Sequence, residues 1–327
     1  MKKRAIYGLA GLAAAAAGAV GGSNALGNYL YDQVNHPPIR TPETEEANPV
    51  QQEGRLWARS MAGFEEAALT ATDQMKLWAA VRRASNPDEH RWAVCVHGYA
   101  DTYEAMGAQG LRYHNNGWNV LMPDQRAHGR SGGECIGWGY LERLDMLGWV
   151  NWILRRDPEA EIVLHGASMG GATVLMVTGG PVPRQLKAVI SDCSYTSFEE
   201  EARHFIKSHA GAMVPDLPFP APVGLLFSIL RRAALRHGAG FDLRDAAPIN
   251  AVKQSKTPTL FIHGVEDDFV PAPMMGRLYQ AAACPKRFLW VPGAGHVAAV
   301  GTDPELYWSA VDEFLKEYVP AYEKPPV

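Results

Sequence analysis

One short segment constrains the fold of this chain more than any other. An apolar run at residues 162–164 leads through one histidine into Gly-Ala-Ser-Met-Gly at residues 166–170, and small or apolar residues follow. This order is typical of a buried strand that turns sharply into a helix. Because Gly166 and Gly170 lack a Cβ, the chain can turn tightly there and the helix can approach the strand. The segment predicts that Ser168 lies on a strained turn at the carboxyl end of that strand.

Ser168 is therefore a candidate nucleophile. A serine hydroxyl is a weak nucleophile near neutral pH, so a catalytic serine needs a neighbouring base that takes its proton. It also needs backbone N–H donors aimed at the oxygen where negative charge develops.

Short apolar runs recur along the chain, with helical stretches between them. The strand candidates cover residues 92–96, 119–122, 162–165, 188–191, 259–262 and 288–291. Before them, residues 65–72 and 75–83 alternate apolar and polar side chains around a short turn, which predicts an antiparallel hairpin. Strands alternating with helices predict an α/β fold with a mostly parallel sheet and helices on both faces. In such folds the functional groups collect in loops after the carboxyl ends of the strands.

Composition and charge exclude several classes of function. The chain has 327 residues, of which 47% are hydrophobic, so it is long enough for one large core with an insertion or for two domains. A net charge of −4 with scattered basic residues argues against nucleic-acid binding. The four cysteines, Cys95, Cys135, Cys193 and Cys284, are widely spaced, which predicts packed free thiols rather than disulfides or a metal site.

The N-terminus differs in character from the rest of the chain. Lys2, Lys3 and Arg4 precede a stretch without charge at residues 5–31, and Ser-Asn-Ala at residues 23–25 offers a small-x-small cleavage site. This pattern predicts a signal peptide or N-terminal membrane anchor over residues 1–31. The protein is then expected to be exported, either extracellular or anchored to the outer face of the cytoplasmic membrane, with membrane contact only through this segment.

The remaining chain divides into a spacer and one folded domain. Prolines and polar residues predict a solvated spacer over residues 32–58, and the domain covers residues 59–327. One crossover helix with its loops requires about 25 residues. The segment at residues 192–258, between two strand candidates, is longer than this. The surplus predicts a small helical cap over about residues 197–250, with helices at residues 197–209 and 223–235. Within the cap, the candidate pocket-lining side chains, with plain packing as the alternative for each, are Phe205, Met213, Phe219 and Phe227.

His296 is the preferred base among the 11 histidines. It follows the last predicted strand in a glycine-rich loop and comes after the other candidates, matching the chain order serine, acid, histidine of this chemistry. His97, His128 and His263 each precede a glycine near a strand end and are predicted to tie loops together by hydrogen bonds. His165 belongs to the strand before the turn and is expected to point away from the serine hydroxyl.

The base needs a carboxylate that orients the imidazole and stabilises its protonated form. Asp267 follows a buried strand and is the first choice. Glu266 and Asp268 are immediate competitors, and Asp192 at a neighbouring strand end is a further alternative.

Two backbone N–H groups are expected to form the oxyanion hole. Met169 supplies one at the start of the predicted helix. The second is assigned to Tyr99, in the loop where Gly98 lets the backbone approach.

With these residues in place, the chain resembles the α/β-hydrolase superfamily and, more narrowly, the exported or membrane-anchored α/β hydrolases of Gram-positive bacteria. The segments that carry the resemblance lie at residues 96–99, 124–131, 136–145, 165–171, 191–197, 262–271 and 292–296. The resemblance implies an eight-stranded core. It also implies Ser168 as nucleophile, Asp267 as acid, His296 as base, and Tyr99 and Met169 as oxyanion donors, in agreement with the chemical assignment.

The leading hypothesis is a carboxylesterase-like serine hydrolase acting on small-molecule esters or related acyl compounds through an acyl-enzyme intermediate. This chemistry requires no metal and no organic cofactor. A serine peptidase or acylaminoacyl hydrolase is the alternative within enzymes. A non-catalytic surface-binding module on a hydrolase scaffold is the alternative of another class, and it predicts the loss of a member of the Ser-His-Asp set, all of which are present.

Overall fold

A computed structural model describes residues 22–37, 48–213 and 223–320 of the chain. The strands are β1 (Glu65–Thr70), β2 (Lys76–Arg82), β3 (Arg91–Val96), β4 (Asn119–Pro123), β5 (Glu161–Ala167), β6 (Leu186–Asp192), β7 (Thr259–Gly264) and β8 (Lys286–Val291). The helices are α1 (residues 22–35), α2 (Pro49–Arg59), α3 (Gly107–Asn115), α4 (Glu142–Leu154), α5 (Met169–Val177), α6 (Phe198–Met213), α7 (Val223–Arg236), α8 (Pro248–Val252), α9 (Pro273–Ala281), α10 (Ala299–Thr302) and α11 (Pro304–Tyr318), with short 3-10 turns at Tyr103–Met106 and Leu243–Asp245.

All eight strands form one sheet in the order β1-β2-β4-β3-β5-β6-β7-β8. The hairpin of β1 and β2 is antiparallel, as predicted, and β2 also runs antiparallel to β4. The other neighbours pair in parallel. The predicted eight-stranded, mostly parallel sheet is confirmed, and its parallel part carries the serine turn on the central strand β5.

Apolar clusters cover both faces of the sheet. On one face Tyr113, Tyr307 and Phe314 of helices α3 and α11 pack in a buried cluster, and on the other Trp149 and Leu175 of α4 and α5 do so. Strands β3 and β7 are buried at every position, which explains why they appear in the sequence as continuous apolar runs. Helices on both faces, expected from the alternation of elements, are thus present.

The chain divides into two compact units, and the smaller contains the described residues 22–37, 202–213 and 223–243. Within it α1 packs closely on α7, because a Cβ on Gly27 would lie only 3.2 Å from a methyl carbon of Ile229. The rings of Tyr31 and His237 stack with their centroids 4.3 Å apart. Of the proposed pocket-lining residues, Phe205 and Phe227 belong to this unit, whereas Phe219 and the side chain of Met213 lie outside the described residues.

The structure bears on the N-terminal expectations only from residue 22 onward, because residues 1–21 lie outside the described part of the chain. Among the helices that the structure describes, none has the length and apolar character needed to cross a membrane. The range 32–58, expected to be a spacer, contains the end of α1 and most of α2. Helix α2 begins where the Asn48 side chain accepts a hydrogen bond from the Gln51 N–H and a proline occupies the first turn.

The four cysteine thiols are free, as predicted. Three of them are buried, at Cys95, Cys193 and Cys284. They pack as small apolar side chains rather than as cross-links.

Candidate active site

The turn after β5 has the strained geometry that the two glycines predict. Ser168 has φ 55° and ψ −119°, a conformation that L residues rarely adopt. A Cβ on Gly166 would lie 2.2 Å from the carbonyl oxygen of Gly170, and a Cβ on Gly170 would lie 2.0 Å from that of Val96. Only glycine fits at either position, so the sequence fixes the close approach of β5, α5 and β3 that holds the serine in place.

Three side chains from distant parts of the sequence meet at this turn. Ser168 Oγ lies 2.9 Å from Nε2 of His296. The other ring nitrogen, Nδ1, lies 2.8 Å from Oδ2 of Asp267. Hydroxyl, imidazole and carboxylate thus form one continuous hydrogen-bonded line, with the nitrogen facing Ser168 able to accept its proton.

Asp267 is held in its ionised form. Its carboxylate accepts hydrogen bonds from the backbone N–H groups of Phe269 and Val270 at Oδ1, in addition to the imidazole at Oδ2. Burial alone would raise the pKa of Asp267, but hydrogen bonds from His263 and His296 outweigh it and lower the pKa to about 2.

The other carboxylates considered for this role lie elsewhere. Glu266 and Asp268 are exposed on either side of the buried Asp267. Asp192 is buried and accepts a hydrogen bond from the Tyr307 hydroxyl at 3.1 Å. Its backbone carbonyl accepts the Ser168 N–H at 2.9 Å, so its observed contact with the serine turn is through the main chain.

The loop after β3 is oriented by His97. His97 Nε2 accepts a hydrogen bond from the Gln125 N–H at 2.9 Å, so Nδ1 carries the hydrogen that is donated to the Gly98 carbonyl at 2.7 Å. Burial lowers the pKa of His97 to about 3, which keeps this tautomer neutral. Because the carbonyl and the following N–H of a trans peptide point in opposite directions, the Tyr99 N–H points away from His97. Tyr99 and Ser168 line the same cavity.

The second expected donor, Met169, is the first residue of α5. The N–H groups of the first helical turn have no partner within the helix and attract negative charge. Ser168 donates its own N–H to the Asp192 carbonyl, and Met169 carries the next amide along the chain at this helix end.

His128, another of the predicted loop-organising histidines, and the strand histidine His165 also lie in polar networks. His128 Nδ1 donates to the Arg126 carbonyl and Nε2 accepts the Ala100 N–H, at 2.9 and 3.3 Å. His165 is buried between the hydroxyls of Tyr113 and Tyr307, at 3.0 and 2.8 Å, away from the serine hydroxyl.

A small cavity of about 40 Å³ lies beside the serine, space for a few water-sized groups. Its wall includes Arg55, paired with Asp101 through two hydrogen bonds of 3.1 and 3.0 Å, and both side chains are buried. Because the charges of this pair compensate each other, the pair itself gives that wall no net charge. Gln51 and Arg55 of α2 also line this cavity. The sequence predicts a spacer there, and only the Asn-Pro pair at residues 48–49, typical of a helix start, indicates an ordered element.

One group of side chains in the described residues has the ligand atoms for a metal ion within 4.8 Å of one another, namely Cys193, Asp267 and His296. Two of these already hydrogen-bond to each other in the line from Ser168. Burial raises the pKa of the Cys193 thiol well above its ordinary value, which disfavours the thiolate that a metal requires. The arrangement is better suited to proton transfer than to metal binding.

The eight-stranded sheet and the serine turn at the end of its central strand define the α/β-hydrolase class. Comparison with known proteins agrees: the sequence model described as serine aminopeptidase, S33, matches residues 88–237. A Mycobacterium tuberculosis (strain H37Rv) protein, Rv2307c, is 31% identical over 226 residues, which cover 68% of this chain and 69% of that protein. The chain belongs to the α/β-hydrolase family.

Three further comparisons give the extent of the similarity. The Bacillus subtilis (strain 168) protein YqkD is 29% identical over 200 residues, and the match covers 61% of this chain and 62% of that relative, just under two thirds of its length. Among solved structures, the Pyrococcus furiosus esterase Pf2001 superposes with a TM-score of 0.61 at 23% identity, covering 80% of this chain and 95% of the esterase. The Pyrococcus horikoshii acylaminoacyl peptidase superposes with a TM-score of 0.57 at 17% identity, covering 83% of this chain and 44% of the peptidase.

Proposed function

We propose that this hydrolase cleaves carboxylic esters or related acyl compounds through an acyl-enzyme intermediate. The observation that carries the proposal is the line of hydrogen bonds from Ser168 through His296 to Asp267, at 2.9 and 2.8 Å. These distances lie within the range for proton transfer between a nucleophile and its base.

In the proposed first step, Ser168 Oγ attacks the substrate carbonyl carbon while Nε2 of His296 takes the hydroxyl proton. The oxyanion that forms accepts hydrogen bonds from the N–H groups of Tyr99 and Met169. Collapse of this intermediate expels the alcohol, which receives the proton from the imidazole, and leaves the acyl group on Ser168.

In the second step, a water molecule attacks the acyl-enzyme and His296 acts again as base. The carboxylate of Asp267 stays ionised throughout, because its pKa is lowered to about 2 by the hydrogen bonds that outweigh its burial. The acid product leaves as Ser168 regains its proton.

The small cavity favours compact acyl groups. Its volume of about 40 Å³ suits a short chain, and the compensated pair of Arg55 and Asp101 suits neutral polar substrates. The fold similarity to the esterase Pf2001 is consistent with ester cleavage, although the shared fold alone serves several reactions.

The proposal predicts a burst of chromophore from short-chain p-nitrophenyl esters that Ser168→Ala abolishes. We expect kcat/KM to fall roughly 10⁴-fold or more, because the nucleophile is removed. The control is Ser60→Ala, which removes an exposed hydroxyl that donates to the Trp57 carbonyl and accepts the Ala62 N–H. Undiminished turnover in Ser168→Ala, or a fluorophosphonate probe that does not label the folded protein, would contradict the proposal.

A serine peptidase is the second candidate, favoured by the description of the matching family as serine aminopeptidase. Parallel assays of aminoacyl amides and of the corresponding aminoacyl esters separate the two. Amide cleavage at a rate comparable to ester cleavage would replace the esterase proposal with the peptidase one.

A further inference from the structure

The carboxylate of Asp267 lies between two imidazoles. Besides the His296 contact, its Oδ2 lies 3.2 Å from Nε2 of His263. The His263 side chain is completely buried on strand β7, so no water competes for this contact.

The hydrogen on this nitrogen can be assigned from its neighbours. Nε2 of His263 lies 2.9 Å from the carbonyl oxygen of Val270 as well as near the Asp267 carboxylate. Both of these groups can only accept a hydrogen bond, since the carboxylate is ionised. Nε2 of His263 therefore carries a hydrogen, which is donated to the Val270 carbonyl and lies within reach of the carboxylate oxygen at 3.2 Å.

We propose that His263 is a positioning residue for the hydrolase reaction, donating from Nε2 to Oδ2 of Asp267 and so fixing the oxygen that faces His296. The inference deepens the proposed function and rests on it. The two backbone N–H groups at Oδ1 hold one end of the carboxylate, and His263 holds the other end from the strand side. A carboxylate bound at both oxygens keeps the His296 ring in the orientation that presents Nε2 to the serine.

The donor also sets how strongly the carboxylate attracts the protonated base. A hydrogen bond from His263 withdraws part of the negative charge on Oδ2 from His296. The other titratable groups around Asp267 are Asp192 and Cys193 at the end of β6 and Glu201 on α6. Asp192 also interacts electrostatically with His263, so any substitution that removes the imidazole affects it. Two substitutions that both replace the imidazole by an amide share this effect and differ only in whether the amide can donate to Asp267.

The test compares His263→Gln with His263→Asn. A glutamine amide nitrogen reaches the position of Nε2 and can still donate to Asp267, whereas an asparagine amide reaches only the position of Nδ1. We expect His263→Asn to lower kcat/KM at neutral pH by roughly 10- to 100-fold, the range for loss of one hydrogen bond to a charged group. We expect His263→Gln to retain activity within about threefold of the natural protein.

The pH profile distinguishes positioning from simple support of the fold. Without the donor, more negative charge on Oδ2 stabilises the protonated base, so the acid limb of the kcat/KM profile in His263→Asn should move to higher pH by roughly half a unit or more. In His263→Gln the acid limb of the kcat/KM profile should stay at the pH found for the natural protein. Melting temperatures of both variants are measured alongside, and the rate of fluorophosphonate labelling provides a readout independent of the substrate.

Each outcome decides one question. Equal activity and equal acid limbs in the two variants would overturn the role of His263, and so would a loss of activity in His263→Asn with an unmoved limb. If His263→Asn does not fold, an acid limb in His263→Gln shifted away from the natural one would overturn it as well. Failure of the natural protein to hydrolyse esters or to react with the probe would instead remove the proposed function.

Discussion

At the scale of single residues, burial distinguishes one carboxylate from its neighbours. Glu266, Asp267 and Asp268 are consecutive, yet only Asp267 is buried and only it contacts the His296 imidazole. Its pKa of about 2 lies below the value of about 3.9 for an exposed aspartate. A carboxyl group with a lowered pKa stabilises the fold at pH values above its pKa in the unfolded chain. This contribution is lost as the pH falls toward about 2.

We predict that Asp267→Asn lowers kcat by roughly 10⁴-fold, because an amide opposite Nδ1 favours the wrong imidazole tautomer. Steady-state hydrolysis of a short p-nitrophenyl ester measures the effect. The matched control is Asp268→Asn, an exposed carboxylate one position along the chain, which should leave kcat near the natural value. Comparable losses in both variants would show that the loop rather than the buried carboxylate matters.

At the scale of elements, the turn between β5 and α5 depends on the absence of side chains. Strand β3 lies so close that any Cβ on Gly170 would overlap the carbonyl oxygen of Val96. Backbone atoms cannot rotate out of the way as the end of a flexible side chain can. Ser168 also keeps its strained dihedral angles only because the surrounding strands and helix fix it.

We predict that Gly170→Ala destabilises the fold and removes activity, since the strand or the helix must shift to admit the methyl group. Gly276→Ala in α9 is the control, because a Cβ there meets no atom within 4 Å. In a helix interior this change should raise the free energy of unfolding by about 0.5–1 kcal/mol. Urea unfolding and ester hydrolysis measure both effects, and a stable, active Gly170→Ala protein would contradict the role given to this turn.

At the scale of the whole molecule, we propose that the N-terminal segment exports the protein. The support is the basic cluster at residues 2–4 followed by an uncharged stretch, a pattern typical of export signals. The expected cleavage site at residues 23–25 lies at the start of helix α1. The close contact of that helix with α7 at Gly27 lies beyond the site, so cleavage leaves this contact intact.

We predict that the protein is found outside the cytoplasm when produced in a bacterial host. Cell fractionation measures its location, and N-terminal sequencing distinguishes a mature chain beginning near Leu26 from an intact anchor. Replacing Lys2, Lys3 and Arg4 by glutamates should retain the protein in the cytoplasm, because the export signal requires a basic start. Full-length natural protein in the cytoplasmic fraction would refute the proposal.

Much of the fold was predictable because its signals are local. A parallel strand buried on both faces is mostly apolar, and strands β3, β5 and β7 therefore stand out in the sequence. Helix α2 was not predictable in this way, because its buried face includes the charged Arg55 and only the pairing with Asp101, distant in sequence, makes that burial possible.

The sequence by itself determined the order of strands and helices, the glycine-framed turn at Ser168 and the short set of candidate bases and acids, since each depends on residue type and near spacing. Only the tertiary structure decided which carboxylate contacts His296, which side chains line the cavity, and that His263 and His296 both contact Asp267. The reason is physical: burial and hydrogen bonding between segments far apart in the chain arise from packing, which no local pattern encodes.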